Sequence, residues 1–445
     1  MRYFSIIVSA LILIAGAAAV SKAGSPLQFP IEEDVLKNGL KVILVEEHKA
    51  PVATFQVWYR VGSRNEVSGK TGLSHMMEHM MFKGTPKHGK GEFSRLIAKN
   101  GGNSNAFTGQ DYTAYFENFS KDRLDLSLLL ESDRMENLTL DPEEFRLERD
   151  VVKEERRMRT DDNPLDYLSE LLNAEAFIAH PYHAPVIGWM TDIDHLTREN
   201  VLNHYKKFYL PNNATLVIVG DIDPKSLLSK IKGSFEHIPL GETPAAVEIV
   251  EPEQNGERRF VVNKEAQMPA FMMGFRTPNF KNPDHYSLTL LSTILSSGKS
   301  SRLYRTLVYD KKIALETGAD YSDLTADPSL FSIYAKPQEG KSIEVLEEAV
   351  WQEINRLKDE PVSADELKKA KNQIETQFVL NRDSNFFVAM QLGMAESVGA
   401  GAHYFDSYLD GIQKVSPEDV QRTAKKYFLK ERLTEGVLKP PASAK

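Results

Sequence analysis

Cysteine is absent from this 445-residue chain. Disulfides, thiol nucleophiles and thiolate metal sites are therefore excluded, and any metal must be held by His, Asp or Glu. Basic runs are lacking as well. The net charge is −9 and no cluster of Lys and Arg stands out, which argues against nucleic acid as the main partner. Beyond residue 20 no apolar stretch has the length of a membrane span. What remains is the composition of a soluble globular protein, 41% hydrophobic and 26% charged, on a chain too long for one core.

The first 23 residues stand apart. Arg2 precedes a nearly unbroken apolar run from Ile6 to Val20, and Ser21-Lys22-Ala23 puts small residues at −3 and −1 of a cut before Gly24. This pattern predicts a signal peptide over 1–23. There is no cysteine at the cut, so lipid attachment is excluded. The expectation is an exported, periplasmic or secreted protein whose charge falls from −9 to −11 with the loss of Arg2 and Lys22.

Chemistry concentrates in Thr71-Gly-Leu-Ser-His-Met-Met-Glu-His-Met-Met81. At the helical period, Leu73, Met76, Met77, Met80 and Met81 gather on one side and predict a core-facing stripe. His75, Glu78 and His79 gather on the other. Imidazoles at i and i+4 can reach one metal ion, and a glutamate in the same turn can hold a water beside it. H-x-x-E-H is the inverted form of the zinc-peptidase motif H-E-x-x-H.

Around this stretch the pattern mixes short strands and helices. Strands are predicted at Lys41–Glu46, at Val52–Arg60 with Ala53, Phe55, Val57 and Tyr59 on one face, and at Ala214–Gly220. Helices are predicted over 93–99, 121–137, 142–159 and 198–208. Residues 241–257 have linker composition. Beyond them the pattern restarts: Val415 to Leu429 echoes Leu196 to Leu210 at an offset of 219, and Ser363–Leu367 echoes Asp141–Phe145 at 222. Two diverged copies are implied, 24–240 and 258–445, of α+β class, since regular βαβ alternation is missing.

A third ligand should come from the helix opened by Asp141-Pro142. Glu148, Val151, Val152 and Glu155 share one face of it, so two carboxylates lie in an apolar stripe. Glu154 points away, which leaves Glu155 or Glu148. The second copy has Ala370 and Gln377 at these positions and no H-x-x-E-H, so one metal per chain is expected.

His75-Met-Met-Glu-His79 with Glu155 downstream resembles the inverted zinc motif of the pitrilysin/insulinase peptidases, in the two-domain bacterial form similar to the mitochondrial processing peptidase β subunit. The resemblance implies a Zn2+ ion held by His75, His79 and Glu155, with Glu78 as general base and Glu148, seven residues before the third ligand, orienting a ligating histidine. It implies a mostly antiparallel sheet packed with helices in each half. Asn103 to Phe116 resembles the family's substrate-binding edge strand, which assigns Asn105, Ala106 and Phe107 to substrate. Ser300-Ser-Arg-Leu303 resembles the signature of its C-terminal domain.

One feature departs from the family. An Arg-x6-Tyr pair, which contacts substrate in family members, is replaced here by Val308 and Leu315. Arg302 and Tyr309 have the spacing, but Arg302 belongs to the Ser-Arg-Leu segment itself. The resemblance therefore implies the zinc-carrying half of a heterodimer, whose partner is a zinc-free homologue with the pair. The alternative is a non-catalytic peptide-binding or scaffolding subunit.

Overall fold

The computed structural model describes residues 30–441, and the signal peptide expected over 1–23 lies outside them. Six strands form the first sheet: β1 Ile31–Val35, β2 Lys41–Glu46, β3 Val52–Tyr59, β4 Asn103–Thr108, β5 Thr113–Ser120 and β6 Ala214–Gly220. Five form the second: β7 Arg258–Asn263, β8 Ala270–Thr277, β9 Ala314–Asp320, β10 Ser329–Pro337 and β11 Leu433–Lys439. Only β2–β6 and β7–β11 run parallel; the other pairings are antiparallel. The class is α+β.

The strand orders are β1-β2-β6-β3-β5-β4 and β7-β11-β8-β10-β9. Without β1, the two match strand for strand, so the chain is a tandem repeat. β6 and β11 start 219 residues apart, as do the helices Arg198–Phe208 and Pro417–Tyr427. Helices Pro142–Arg156 and Ala364–Asn381 start 222 residues apart. Residues 241–256 carry no regular secondary structure.

Alternation along β3 predicts one buried face. Ala53, Phe55, Val57 and Tyr59 are indeed buried, but so are Thr54, Gln56 and Trp58 on the other face. The cover comes from the second half. Helix Asn385–Ser397 lays Val388, Ala389, Leu392 and Ala395 against Ile43, Val45, Trp58, Val217 and Val219. In return, helix Pro164–Ala176 of the first half sets Leu168 against Val262, Ala270 and Leu438 of the second sheet. Each half thus lends a helix to the other's sheet. Burying a Val or Leu side chain contributes about 1.5–3 kcal/mol, so the exchange ties the halves into one unit. Glu396, on the lent helix, adds ion pairs at 2.9 Å to both Lys41 and Arg60.

Trp58 sits at the centre of this contact. Its indole N–H donates to Gln56 Oε1 at 3.0 Å, and its ring meets Phe107 of β4 and Tyr112 edge-on at 5.4 and 5.1 Å. Opposite it only glycine fits, because a Cβ on Gly393 would lie 2.2 Å from the indole. Gly393→Ala is expected to destabilise the whole chain by about 1–3 kcal/mol, the usual cost of overpacking. Denaturant unfolding checks this, and an unchanged midpoint would show that the two halves are not held together at this contact.

Candidate metal centre

The motif helix spans Leu73–Met80. Leu73, Met76, Met77, Met80 and the following Met81 are all buried, as the periodicity predicts. The helix starts at Gly72, whose φ is +86° and where a Cβ would come within 2.6 Å of the Ile187 carbonyl oxygen. No side chain at Gly72 can cap the first turn. Glu66 does so instead, accepting from the Gly72 and Ser74 amides at 2.7 and 2.6 Å. Two orphan N–H groups are thereby satisfied by one carboxylate. This contact has no signature in the sequence.

The facing helix Pro142–Arg156 starts on Asp141, which accepts from the amides of Glu143 and Glu144. Its buried stripe is narrower than the helical wheel suggests: Val152 is fully buried but Val151 is 49% exposed. The α-helix was expected to run to Arg159, yet it gives way to a π-turn over Arg157–Asp161. Such turns recur at functional sites. Here the turn brings Arg159 and Thr160 to the edge of the cleft between the two helices.

His75, His79 and Glu155 converge, with one donor atom from each inside a 4.8 Å group. Glu155 Oε2 is 3.8 Å from His75 Nε2 and 3.2 Å from His79 Nε2. Donors in a tetrahedral zinc site with bonds of ~2.0–2.1 Å stand ~3.3–3.4 Å apart. The two Glu155 distances lie close to that spacing, so the three residues suit one zinc ion. Glu155 Oε1 accepts from Arg159 at 2.8 Å, so the other oxygen is left to face the imidazoles. Glu154 is exposed and pairs with Arg157.

Behind the trio, His79 Nδ1 donates to Glu148 Oε1 at 2.9 Å, and Lys83 pairs with the second oxygen of Glu148. This carboxylate fixes the ring so that Nε2 points at Glu155. His75 Nδ1 is buried without a partner, so only His79 is oriented from behind. Charges follow the contacts. Burial pushes the His75 imidazole down to about 4. Burial also disfavours charge on His79, but hydrogen bonds to Glu148 and Glu155 outweigh it and hold that group up at about 9. The same contact with His79 draws Glu155 down to about 2.

Glu78 lies on the same helix face and accepts from Thr108 Oγ1 at 2.5 Å. Burial pushes its carboxyl above the usual range. Thr108 ends β4, the edge strand of the first sheet, and Asn105, Ala106 and Phe107 line the same cleft of about 720 Å³. The Gly109 amide donates to the Tyr112 carbonyl at 2.8 Å and closes the β4–β5 hairpin. By alternation from that pair, Ser104, Ala106 and Thr108 turn their backbone groups outward. Ala106 N–H accordingly donates to the side chain of Asn105 at 2.9 Å.

Sequence reasoning missed Glu66, Lys83, Thr108 and Arg159. Lys83 and Arg159 stand four residues after His79 and Glu155, a spacing that could have flagged them. His180 is buried and held by Asp327 at 3.1 Å, away from this cleft. Arg302 is tied to Glu366 by two hydrogen bonds of 2.8 and 2.7 Å, and Tyr309 is exposed beside Arg305. Neither lines the cleft. In the second half Gln377 donates to Asn381 at 2.8 Å. Among the described residues, His75, His79 and Glu155 form the one group able to hold a metal.

Residues 41–189 match the family described as Insulinase (Peptidase family M16), and residues 195–374 match the Peptidase M16 inactive domain. The chain is 34% identical over 452 residues to zinc protease PqqE of Helicobacter pylori, covering 99% of this chain and 100% of that protein. It is 29% identical over 417 residues to an uncharacterized zinc protease of Mycobacterium leprae, covering 92% of each. A solved protease from Helicobacter pylori superposes with a TM-score of 0.89 at 35% identity, covering 93% of this chain and all of that one. A Pseudomonas fluorescens peptidase M16 inactive domain shares the fold at 17% identity, with a TM-score of 0.83 and coverage of 93% and 99%.

Metal analysis of three variants tests the ligand assignment. Glu155→Gln is expected to lose most bound zinc, Glu148→Gln to weaken zinc binding ~10–100-fold, and Glu154→Gln to leave it unchanged. Equal zinc retention by the Glu154 and Glu155 variants would remove Glu155 from the site.

Proposed function

The chain belongs to the insulinase family of peptidases, M16, and from that premise we propose that it is a zinc-dependent endopeptidase acting on peptides or unfolded polypeptides. The observation that carries this reading is the convergence of His75, His79 and Glu155 beside Glu78, in a cleft bounded by an edge strand. In the relatives named above, "zinc protease" is the shared description.

His75, His79 and Glu155 hold one zinc ion per chain. Bound zinc polarises the scissile carbonyl and makes a water acidic near neutral pH. Glu78 accepts the proton of the attacking water and passes it to the leaving amine. Thr108 keeps the Glu78 carboxylate turned into the cleft, at the end of the strand that binds substrate. The peptide adds to β4 as a further strand and takes the Ala106 N–H from Asn105. Main-chain pairing of this kind selects an extended conformation, so cleavage preferences are broad. Export to the periplasm follows from the expected signal peptide, and no helix among the described residues is long and apolar enough to cross a membrane.

The partner is part of this reading. No tyrosine lines the cleft, and Arg159, its one arginine, is engaged by Glu155. In this reading the group that stabilises the developing oxyanion is supplied by a second, zinc-free homologous chain with an Arg-x6-Tyr pair. Such groups are worth ~10²–10³-fold in rate.

Two measurements test these statements. Glu78→Gln should keep its zinc and lose at least ~100-fold in peptide hydrolysis, the low end for a general base. Near-normal turnover would take Glu78 out of the reaction. The isolated wild-type chain should hydrolyse unfolded peptides poorly and gain activity on mixing with the zinc-free homologue. Full activity from the chain alone, as monomer or homodimer, would overturn the heterodimer.

A further inference from the structure

A second cleft, of about 560 Å³, opens where the linker crosses the end of the second sheet, and it shares no residue with the zinc cleft. The linker is pinned there by Glu251. This carboxylate accepts from the amides of Ile178, Ala179 and His180, all at 2.8 Å, and pairs with Arg276 at 3.2 Å. Phe177, Pro278, Pro328 and Tyr427 supply apolar wall, while Arg276 and Arg432 supply positive charge.

One of the two guanidinium groups lacks an acidic partner. Glu251 already takes three N–H groups, which leaves Arg276 a single contact. Asp327, the other carboxylate on the wall besides exposed Glu253, is engaged by Arg64 at 2.5 Å and by His180 at 3.1 Å. Arg432 is half-buried on the turn Lys430–Arg432 and meets no acidic group among the described residues. Burial holds the Arg276 guanidinium below its usual range; Glu251 and Glu253 oppose this, and the like charges of Arg258 and Arg432 add to it. The half-buried Arg432 guanidinium has no counter-charge of its own among the described residues, which is costly. Its planar fork matches a carboxylate. At the lip of the cleft, Ile249 and Val250 are 46% and 87% exposed, apolar surface that the body of a ligand would cover.

We propose that this cleft binds a carboxylate carried on an apolar stem, with Arg432 and Arg276 taking the carboxylate and the wall of Phe177, Pro278, Pro328 and Tyr427 taking the stem. Two sources share this chemistry: a free apolar acid, and the α-carboxylate of a peptide that ends in an apolar residue. The site requires neither zinc nor Glu78.

Calorimetric titration of the full chain tests the proposal, with octanoate, N-acetyl-leucine and a short peptide ending in leucine, each acid set against its amide. Saturable binding of at least one acid is expected, with its amide at least ~10-fold weaker, the loss of one charge-assisted hydrogen bond. Arg432→Gln should weaken that acid at least ~10-fold, Arg432→Lys less, and neither should change zinc content. Tighter binding of the peptide acid than of octanoate identifies peptide termini as the source; the reverse order identifies free acids. Amides that bind as well as acids, an Arg432→Gln variant that binds unchanged, or no saturation by any acid would overturn the site. Zinc content and hydrolysis are read separately, so failure here leaves the peptidase reading standing.

Discussion

One carboxylate oxygen faces two imidazoles. Glu155 Oε2 stands 3.8 and 3.2 Å from His75 and His79, and much of the first half serves to hold those three groups together. Two histidines on one helix are easily aligned. Bringing a glutamate from another helix this close to both requires that neither helix can roll. Four buried methionines and Leu73 fix the roll of the motif helix, Val152 fixes that of its neighbour, and Glu66 and Asp141 cap their first turns. Glu148 and Arg159 then fix the orientation of His79 and Glu155 themselves.

The same rigidity reaches the edge strand through Trp58. Its ring touches Phe107 on β4 on one side and Gly393 of the lent helix on the other. The second half lacks the metal ligands, with Ala370 and Gln377 where the repeat would place Glu148 and Glu155. It nonetheless covers the sheet that carries the first half's site.

Much of this was legible in the sequence, because it rests on local periodicity. The i, i+4 histidines, the methionine stripe, the Asp141-Pro142 helix start and the offsets of 219 and 222 are all short-range patterns. The helix exchange was not legible. Alternation in β3 marks one buried face, and Trp58 and Gln56 on the other face are residues that a solvated strand also carries. Val151 was misplaced since a helical wheel shows which residues share a face but not how wide a stripe the neighbours cover. The turn at Arg157–Asp161 departs from an α-helix by one backbone register, which side-chain periodicity does not record. Glu66 acts through amides 6 and 8 residues along a loop, a distance set by chain geometry alone.

X-ray absorption at the zinc edge, on the purified chain with its zinc content measured, tests the central claim most directly. The account predicts one zinc per chain in a shell of nitrogen and oxygen at ~2.0–2.1 Å, with the scattering signature of two imidazoles. Zinc well below one per chain, or a shell with one imidazole or three, would contradict it.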